Sequence, residues 1–476
     1  MLRNDVYAAF TVGVVLMPQA IAYAALAEMP PEYGLYAALV PLPVHALLTS
    51  SRHVSVGPFA LVSLLVAETV SAVIPPESLS SVDRRYTHAV MLCTFLAGII
   101  HLFMAALHLE VIVTFLPNSV IEGFTSAAAI LSALCLPCKL CRPAKRSCPM
   151  PRSDHMHFHF PHAYLPFLTS FGRAPCAAVA ASQLKHLLGM PIERMQLPQK
   201  LWNVAHRLDE VNLQALALGL GSIGLVVAIR SANRRLCTRV PIPEMLVLLI
   251  LIEVNMITGY VPLEVPVVGP VESGLPPPRL PLKWVLQNDL PMLTGLLWPA
   301  CIVGLFSYII TMSIVKSMSL KFGYSVDANA ELRALGAANV AGAFFSSMPI
   351  SGSLSRSAII VTTAGAECTP MHSVLTSLMV LVVVLYAMPL VSYVPFAVLA
   401  SIVILAITSL VDLRRPFELY RSSMPNFGLW LVAFCTTLLF GVEWGISVSI
   451  VAALLLRVSS RLHGYPAGAN GESQLF

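Results

Sequence analysis

The sequence predicts an all-α polytopic membrane protein, and three observations carry that reading. Of 476 residues, 57% are hydrophobic and 11% charged, with a mean hydropathy of +0.78. So few charges cannot cover a water-soluble globule of this size, and most of the chain must face lipid or other buried helices. Apolar runs of helical length recur from end to end, whereas long alternating apolar/polar strands are absent and aromatic residues make up only 8%. Helices rather than a barrel therefore satisfy the backbone in lipid. The basic residues behind the formal charge of +5 sit in short clusters between apolar runs. They read as topology determinants, and no nucleic-acid partner is expected.

In chain order, apolar windows place spans near 6–27, 35–50, 58–74, 90–110, 118–134 (resuming at 176–189), 212–230, 242–260, 292–314, 329–346, 353–365, 370–388, 391–411, 427–441 and 443–457. That is about fourteen spans by length and hydropathy. Only Arg3 precedes the first apolar run, and no cleavable signal is evident. Arg230, Arg234, Arg235 and Arg239 follow the sixth span, and Lys316 and Lys321 follow the eighth. Arg414, Arg415 and Arg421 follow the twelfth, and Arg457 and Arg461 the last. With an even number of spans and basic clusters inside, both termini face the cytoplasm. The stretch from about 261 to 291 carries Pro262, Pro266, Pro270 and the run Pro276-Pro277-Pro278, which predicts an extended connector on the outer face.

Two spans are interrupted near their starts. The third begins at Ser55-Val56-Gly57-Pro58-Phe59-Ala60, and the tenth at Pro349-Ile350-Ser351-Gly352-Ser353-Leu354-Ser355-Arg356. Equivalent positions in two sets of seven spans suggest an inverted repeat whose broken helices meet at mid-membrane. The alternative is that Gly and Pro only kink ordinary membrane helices.

A helix N-terminus presents free N–H donors and about half a positive charge, so two aimed at one spot form an anion trap. Arg356 adds a full charge. An arginine at the membrane centre costs about 2.5–3.5 kcal/mol, so it needs a polar cavity or a partner. An anion about 4 Å away gains roughly 4 kcal/mol at an effective dielectric near 20, comparable with that cost. A snorkelling or salt-bridged arginine is the other reading. In the first span Gln19 is an uncharged donor one turn from Tyr23, a pair that can line a pore, although membrane Gln also serves simply to bond a neighbouring helix.

Met17-Pro18-Gln19-Ala20-Ile21-Ala22-Tyr23-Ala24, Pro31-Glu32-Tyr33-Gly34-Leu35-Tyr36, Gly123-Phe124-Thr125, Gly323-Tyr324-Ser325-Val326-Asp327 and Ser353-Leu354-Ser355-Arg356 occur in that order along the chain. Together they resemble the sulfate permease (SulP-type) anion transporter family. The resemblance implies fourteen spans in a seven-plus-seven inverted repeat, divided into core and gate domains, with half-helices at spans 3 and 10. It also implies an anion pocket at Gln19, Tyr23, Phe59, Leu354, Ser355 and Arg356, and an elevator-like movement of the core past the gate.

Three departures qualify it. Where proton-coupled members resemble one another in carrying a glutamate on the eighth span, this chain reads Gly304-Leu305-Phe306-Ser307-Tyr308. The hydroxyl of Ser307 cannot carry the proton, which favours exchange or uncoupled conduction over proton symport. Residues 131–178 interrupt the fifth span with Cys135, Cys138, Cys141 and Cys148, then His155, His157, His159 and His162. That pattern reads as a zinc-ligand set or as a retained intron, the latter favoured because the stretch splits a helix that must cross the bilayer. Finally, the membrane domain is expected to fill residues 1–460, with a short tail at 461–476 and without the family's STAS domain. A homodimer would be weakened by the missing terminal regions.

The expected function is secondary anion transport across the plasma membrane, with chloride, bicarbonate, sulfate, oxalate or iodide as cargo. The alternatives are an anion channel or voltage-responsive protein on the same scaffold, and a truncated product that transports nothing. No nucleophile–base pair and no membrane-embedded His/Asp/Glu cluster with metal spacing stands out, so no enzyme activity, cofactor or metal is expected. Glu68, Glu122 and Glu253 read as structural pairing groups, and His45, His101 and His108 as helix-packing residues.

Overall fold

The computed structural model describes residues 1–74, 84–109, 212–236, 290–408 and 415–440, with parts of 265–281 and 448–456. The expected spans at 118–134 and 242–260, most of that at 443–457, and the 131–178 stretch lie outside the described residues.

α1 (Leu2–Leu26) runs unbroken through Pro18, and 83% of its apolar window is buried. It packs against five later elements, so its bulky face meets protein on nearly every side. The expected single span at 35–50 is instead two helices, α2 (Pro31–Leu39) and α3 (Pro41–Leu48). The reason is local: each begins on a proline, whose fixed φ suits a first helical position but whose missing N–H cannot continue a helix. Gly34 lets α2 lie directly on α1, since a Cβ there would fall 1.9 Å from the Ala20 carbonyl oxygen.

β1 (Val56–Gly57) leads into α4 (Ala60–Val73), and α5 (Arg84–Ala106) follows. α6 is Leu213–Leu236, α7 is Leu290–Phe322 and α8 is Ala328–Phe344. β2 (Ser351–Gly352) leads into α9 (Leu354–Ala364). α10 starts at Met371 and continues through a π turn at Val383–Ala387 to Val391. α11 (Phe396–Thr408), α12 (Arg415–Ser422) and α13 (Met424–Phe440) complete the described helices. Among the described residues, four helices are long and apolar enough to cross a membrane: Leu2–Leu26, Arg85–Ala106, Pro291–Phe322 and Met371–Val391.

α5 and α8 cross with almost no side-chain spacer. A Cβ at Gly98 would lie 2.9 Å from the Gly336 carbonyl oxygen, and one at Gly336 would lie 3.1 Å from that of Gly98. Small residues serve this way in membranes, where close backbone packing replaces a hydrophobic driving force between helices. Phe10, Phe103, Trp298 and Tyr386 are 55–78% exposed and point away from the core, as lipid-facing side chains do.

The extended reading of the connector holds where it is described. Val268 N–H donates to Val394 O at 3.0 Å, Phe396 N–H to Pro266 O at 3.0 Å, and Arg279 N–H to Phe344 O at 2.8 Å. These bonds tie the connector to the approach of α11 and the end of α8.

One element was not expected in an all-helical chain. β1 and β2 pair antiparallel, Val56 opposite Gly352 and Gly57 opposite Ser351. α4 with 14 residues and α9 with 11 rise only about 21 and 16 Å, short of a hydrocarbon core of roughly 30 Å. The extended approaches make up the difference, and their polar groups must be satisfied by each other.

Candidate functional site

The strand pair sets the starts of α4 and α9 side by side. Ser353 N–H donates to Ser55 O at 2.9 Å, and Ser55 N–H to Ser357 Oγ at 3.1 Å, extending the link past the two paired residues. The N-cap residues are Phe59 and Ser353, and neither side chain caps its helix. The first intrahelical acceptors are Phe59 O, reached by Ser63 N–H, and Ser353 O, reached by Ser357 N–H, both at 2.9 Å. The earlier N–H groups of both helices therefore have no intrahelical acceptor, leaving two positive helix ends close together.

Between them lies Arg356, with 0% exposure. Its Nη1 donates to Pro58 O at 3.0 Å and to Gln19 Oε1 at 3.4 Å, and its Nε donates to Ser55 Oγ at 3.3 Å. All three acceptors are neutral. Among the described residues Arg356 makes no ion pair, and its Nη2 has no hydrogen-bond partner. Gly57, at φ +142°, gives the guanidinium room: a Cβ there would lie 3.3 Å from Nη2. A charge buried with one donor face open is costly alone and suited to receiving an anion.

Gln19, Tyr23, Phe59 and Arg356 are all buried, with Tyr23 in electrostatic range of the guanidinium. Leu354 and Ser355 form the first turn of α9 and are exposed, and Ser355 Oγ lies 3.2 Å from Ser353 Oγ. The Ser307 side chain bonds other groups. Its hydroxyl donates to Gly304 O at 2.9 Å and lies 3.4 Å from His101 Nε2. Thr311, one turn further along α7, touches the strand pair instead: Gly352 N–H donates to its Oγ1 at 2.8 Å. Sequence reasoning missed Thr311, because its role depends on how α7 is rotated against β2.

The sequence model of the sulfate permease family matches residues 2–135 and 165–433. The chain belongs to that family. Zebrafish (Danio rerio) prestin is 28% identical over 95% of this chain and 57% of its own length. A probable sulfate transporter 4.2 of Arabidopsis thaliana is 28% identical over 94% and 58%, and human solute carrier family 26 member 6 is 27% identical over 96% and 55%. The chain thus spans a little over half the length of these relatives. The structure of the murine Slc26a9 anion transporter, in the inward-facing state, matches with a TM-score of 0.75, 21% identity, and coverage of 97% of this chain and 69% of that one. The transmembrane domain of the cyanobacterial bicarbonate transporter BicA matches with a TM-score of 0.69 and 18% identity, covering 95% and 97%. The fold is that of these transmembrane domains, a polytopic helical membrane protein.

Two polar clusters of this family member join parts of the chain that sequence spacing does not connect. Glu331, on the first turn of α8, is fully buried. Its carboxylate accepts from Thr49 Oγ1 at 2.7 Å, Ser50 N–H at 2.8 Å, Ser50 Oγ at 2.9 Å and Ser51 N–H at 2.9 Å, and His45 Nε2 lies 3.6 Å away. Beside it His53 stacks on Phe322 at 4.1 Å and bonds Gly365 O through Nε2 at 3.0 Å. Burial holds the His53 imidazole below its ordinary value, partly offset by the Gly365 carbonyl. Of the histidines read as packing residues, His101 fits, bonding Gly304 O at 2.7 Å, whereas His45 faces a carboxylate.

The second cluster is a grouping that the sequence reading did not single out. Asp5, Cys368 and His372 are all buried and offer three ligand atoms within 4.8 Å of one another. The sequence hid it because Asp5 lies 363 residues from Cys368.

Proposed function

We propose that this chain forms the anion-translocating membrane part of a sulfate permease family transporter and exchanges one small anion for another. The observation that carries this reading is Arg356: a fully buried guanidinium, bonded only to neutral acceptors, with Nη2 unpartnered among the described residues and two uncapped helix starts beside it. An anion accepted there would receive charge-assisted hydrogen bonds from Nη2 and first-turn N–H groups of α4 and α9. Gln19, Tyr23 and Phe59 would form its α1 and α4 sides, and Leu354 and Ser355 its α9 side.

The cargo class is a small inorganic or organic anion: chloride, bicarbonate, sulfate, oxalate or iodide. The bicarbonate, sulfate and anion transporters among its relatives support that class. We place the site in a fourteen-span, seven-plus-seven scaffold with both termini cytoplasmic, in the plasma membrane. Its core, including α1, α4 and α9, would carry the anion past the gate in an elevator-like step. Exchange is favoured over proton symport because the Ser307 hydroxyl is occupied by Gly304 O and supplies no carboxylate to neutralise Arg356.

Radiolabelled anion flux into proteoliposomes tests this. Uptake stimulated by anion on the opposite side is the expected result. Large currents without that stimulation would indicate a channel, strict dependence on an inward proton gradient would indicate symport, and the absence of both flux and current would overturn transport by this chain.

A further inference from the structure

We propose that Asp5, Cys368 and His372 form a binding site for a zinc-class divalent cation, clipping the start of α1 to the turn between α9 and α10. Cys368 Sγ lies 3.5 Å from Asp5 Oδ1 and 3.5 Å from His372 Nδ1. Zinc bonds of about 2.3 Å to sulfur and about 2.0–2.1 Å to nitrogen or oxygen, arranged tetrahedrally, require ligand atoms about 3.5 Å apart. Cys368 Sγ already stands at that spacing from both partners, all three ligand atoms lie within 4.8 Å of one another, and exposures of 1–2% leave the residues little freedom to separate. A mixed carboxylate, thiolate and imidazole set suits zinc or cobalt, and is unsuited to calcium or magnesium, which take oxygen ligands.

The surroundings fit as well. Asp5 accepts from Thr369 N–H at 2.8 Å through Oδ1 and from Thr369 Oγ1 at 2.7 Å through Oδ2, which fixes the carboxylate while Oδ1 keeps a lone pair toward Cys368. Ser373 Oγ, 3.2 Å from His372 Nε2, can accept the proton on that nitrogen and hold the tautomer in which Nδ1 is a ligand. Nδ1 sits 2.6 Å from Thr369 O, so the ring must turn away from that carbonyl as the cation enters. The S–H bond of Cys368 breaks, its proton leaves to water, and the sulfur electron pair forms the metal bond. No redox change occurs. Ala366 and Glu367 next to the cluster are exposed, which gives a short path from solvent.

The site differs from the anion site and stands whether or not that reading holds. It bears on α9, since a cation on Cys368 and His372 would fix the turn just past that half-helix.

The test uses the whole 476-residue chain with Cys135, Cys138, Cys141, Cys148 and Cys176 changed to Ser, which removes the thiols of the 131–178 stretch. Co2+ is added as a spectroscopic stand-in for Zn2+. The expected result is one equivalent of cobalt with a sulfur-to-cobalt charge-transfer band, displaced by Zn2+, and a raised thermal midpoint when either metal is present. Cys368→Ala should abolish the band, and His372→Gln should weaken cobalt binding by at least tenfold. Absence of the band from the parent chain overturns the proposal regardless of how the variants fold. A band that survives Cys368→Ala overturns it equally.

Discussion

Arg356 Nη1 donates to the carbonyl of Pro58 at 3.0 Å, so the charge on one half-helix is held by the extended approach to the other. That bond and the two donated to Gln19 and Ser55 orient the guanidinium without neutralising it. Arg356→Gln removes the charge and the open Nη2. A hydrogen bond to a charged group contributes about 1.5–3 kcal/mol, so apparent anion affinity should fall roughly tenfold to a hundredfold. Concentration dependence of anion uptake in proteoliposomes measures it, and unchanged affinity would remove Arg356 from the site.

Gly57 is where backbone and site meet. Its φ of +142° is one that L side chains rarely adopt, and a Cβ would press on Nη2 at 3.3 Å. Gly57→Ala should therefore both strain the strand pair, by about 1–3 kcal/mol, and push the guanidinium off its three acceptors. The expected outcome is a lower thermal midpoint together with weaker anion uptake. A variant with lowered stability but unaltered affinity would separate the strand pair from anion binding.

Much of this arrangement was legible in the residues. Pro, Gly and Ser ahead of apolar runs located both half-helix starts to within a few positions, because such residues cannot continue a helix. The β1–β2 pairing was not legible, since two residues of strand leave no alternating pattern. Hydropathy also merged α2 with α3, because Pro41 is apolar enough to pass as part of one span. Glu331 and the Asp5 cluster escaped for a different reason: their partners are assembled by helix packing across hundreds of residues. The contact of Thr311 with the strand pair was not legible either, because rotation of a helix cannot be read from its own sequence.

Glu331 gathers the donors of Thr49, Ser50 and Ser51 at the end of α3. Glu331→Gln keeps one acceptor oxygen but turns an NH2 group toward donors. Each buried donor left unsatisfied costs about 1–3 kcal/mol. The thermal midpoint in detergent should drop by several degrees, and Glu331→Ala should drop it further. A midpoint within error of the parent would show that the 49–51 turn is held by something other than this carboxylate.

His53 makes stability at this end of the molecule depend on pH, with a definite sign. In the folded chain its imidazole is held below the ordinary value of 6.5, chiefly by burial, with Arg52 also lowering it and the Gly365 carbonyl raising it. Nε2 donates to Gly365 O, and Nδ1 lies 3.4 Å from the Tyr324 hydroxyl, an arrangement suited to the neutral ring. Below pH 6.5 the unfolded chain takes up a proton that the folded site resists. The contribution is therefore complete above pH 6.5 and declines as pH falls through the depressed folded value. His53→Gln removes this linkage while keeping a side chain able to reach Gly365. The thermal midpoint, followed from pH 7.5 down to about 5, should fall more steeply in the parent than in His53→Gln. Because His45 and His372 remain in both proteins, only the difference between the two slopes reports His53, and parallel slopes would assign the acid sensitivity to those other histidines.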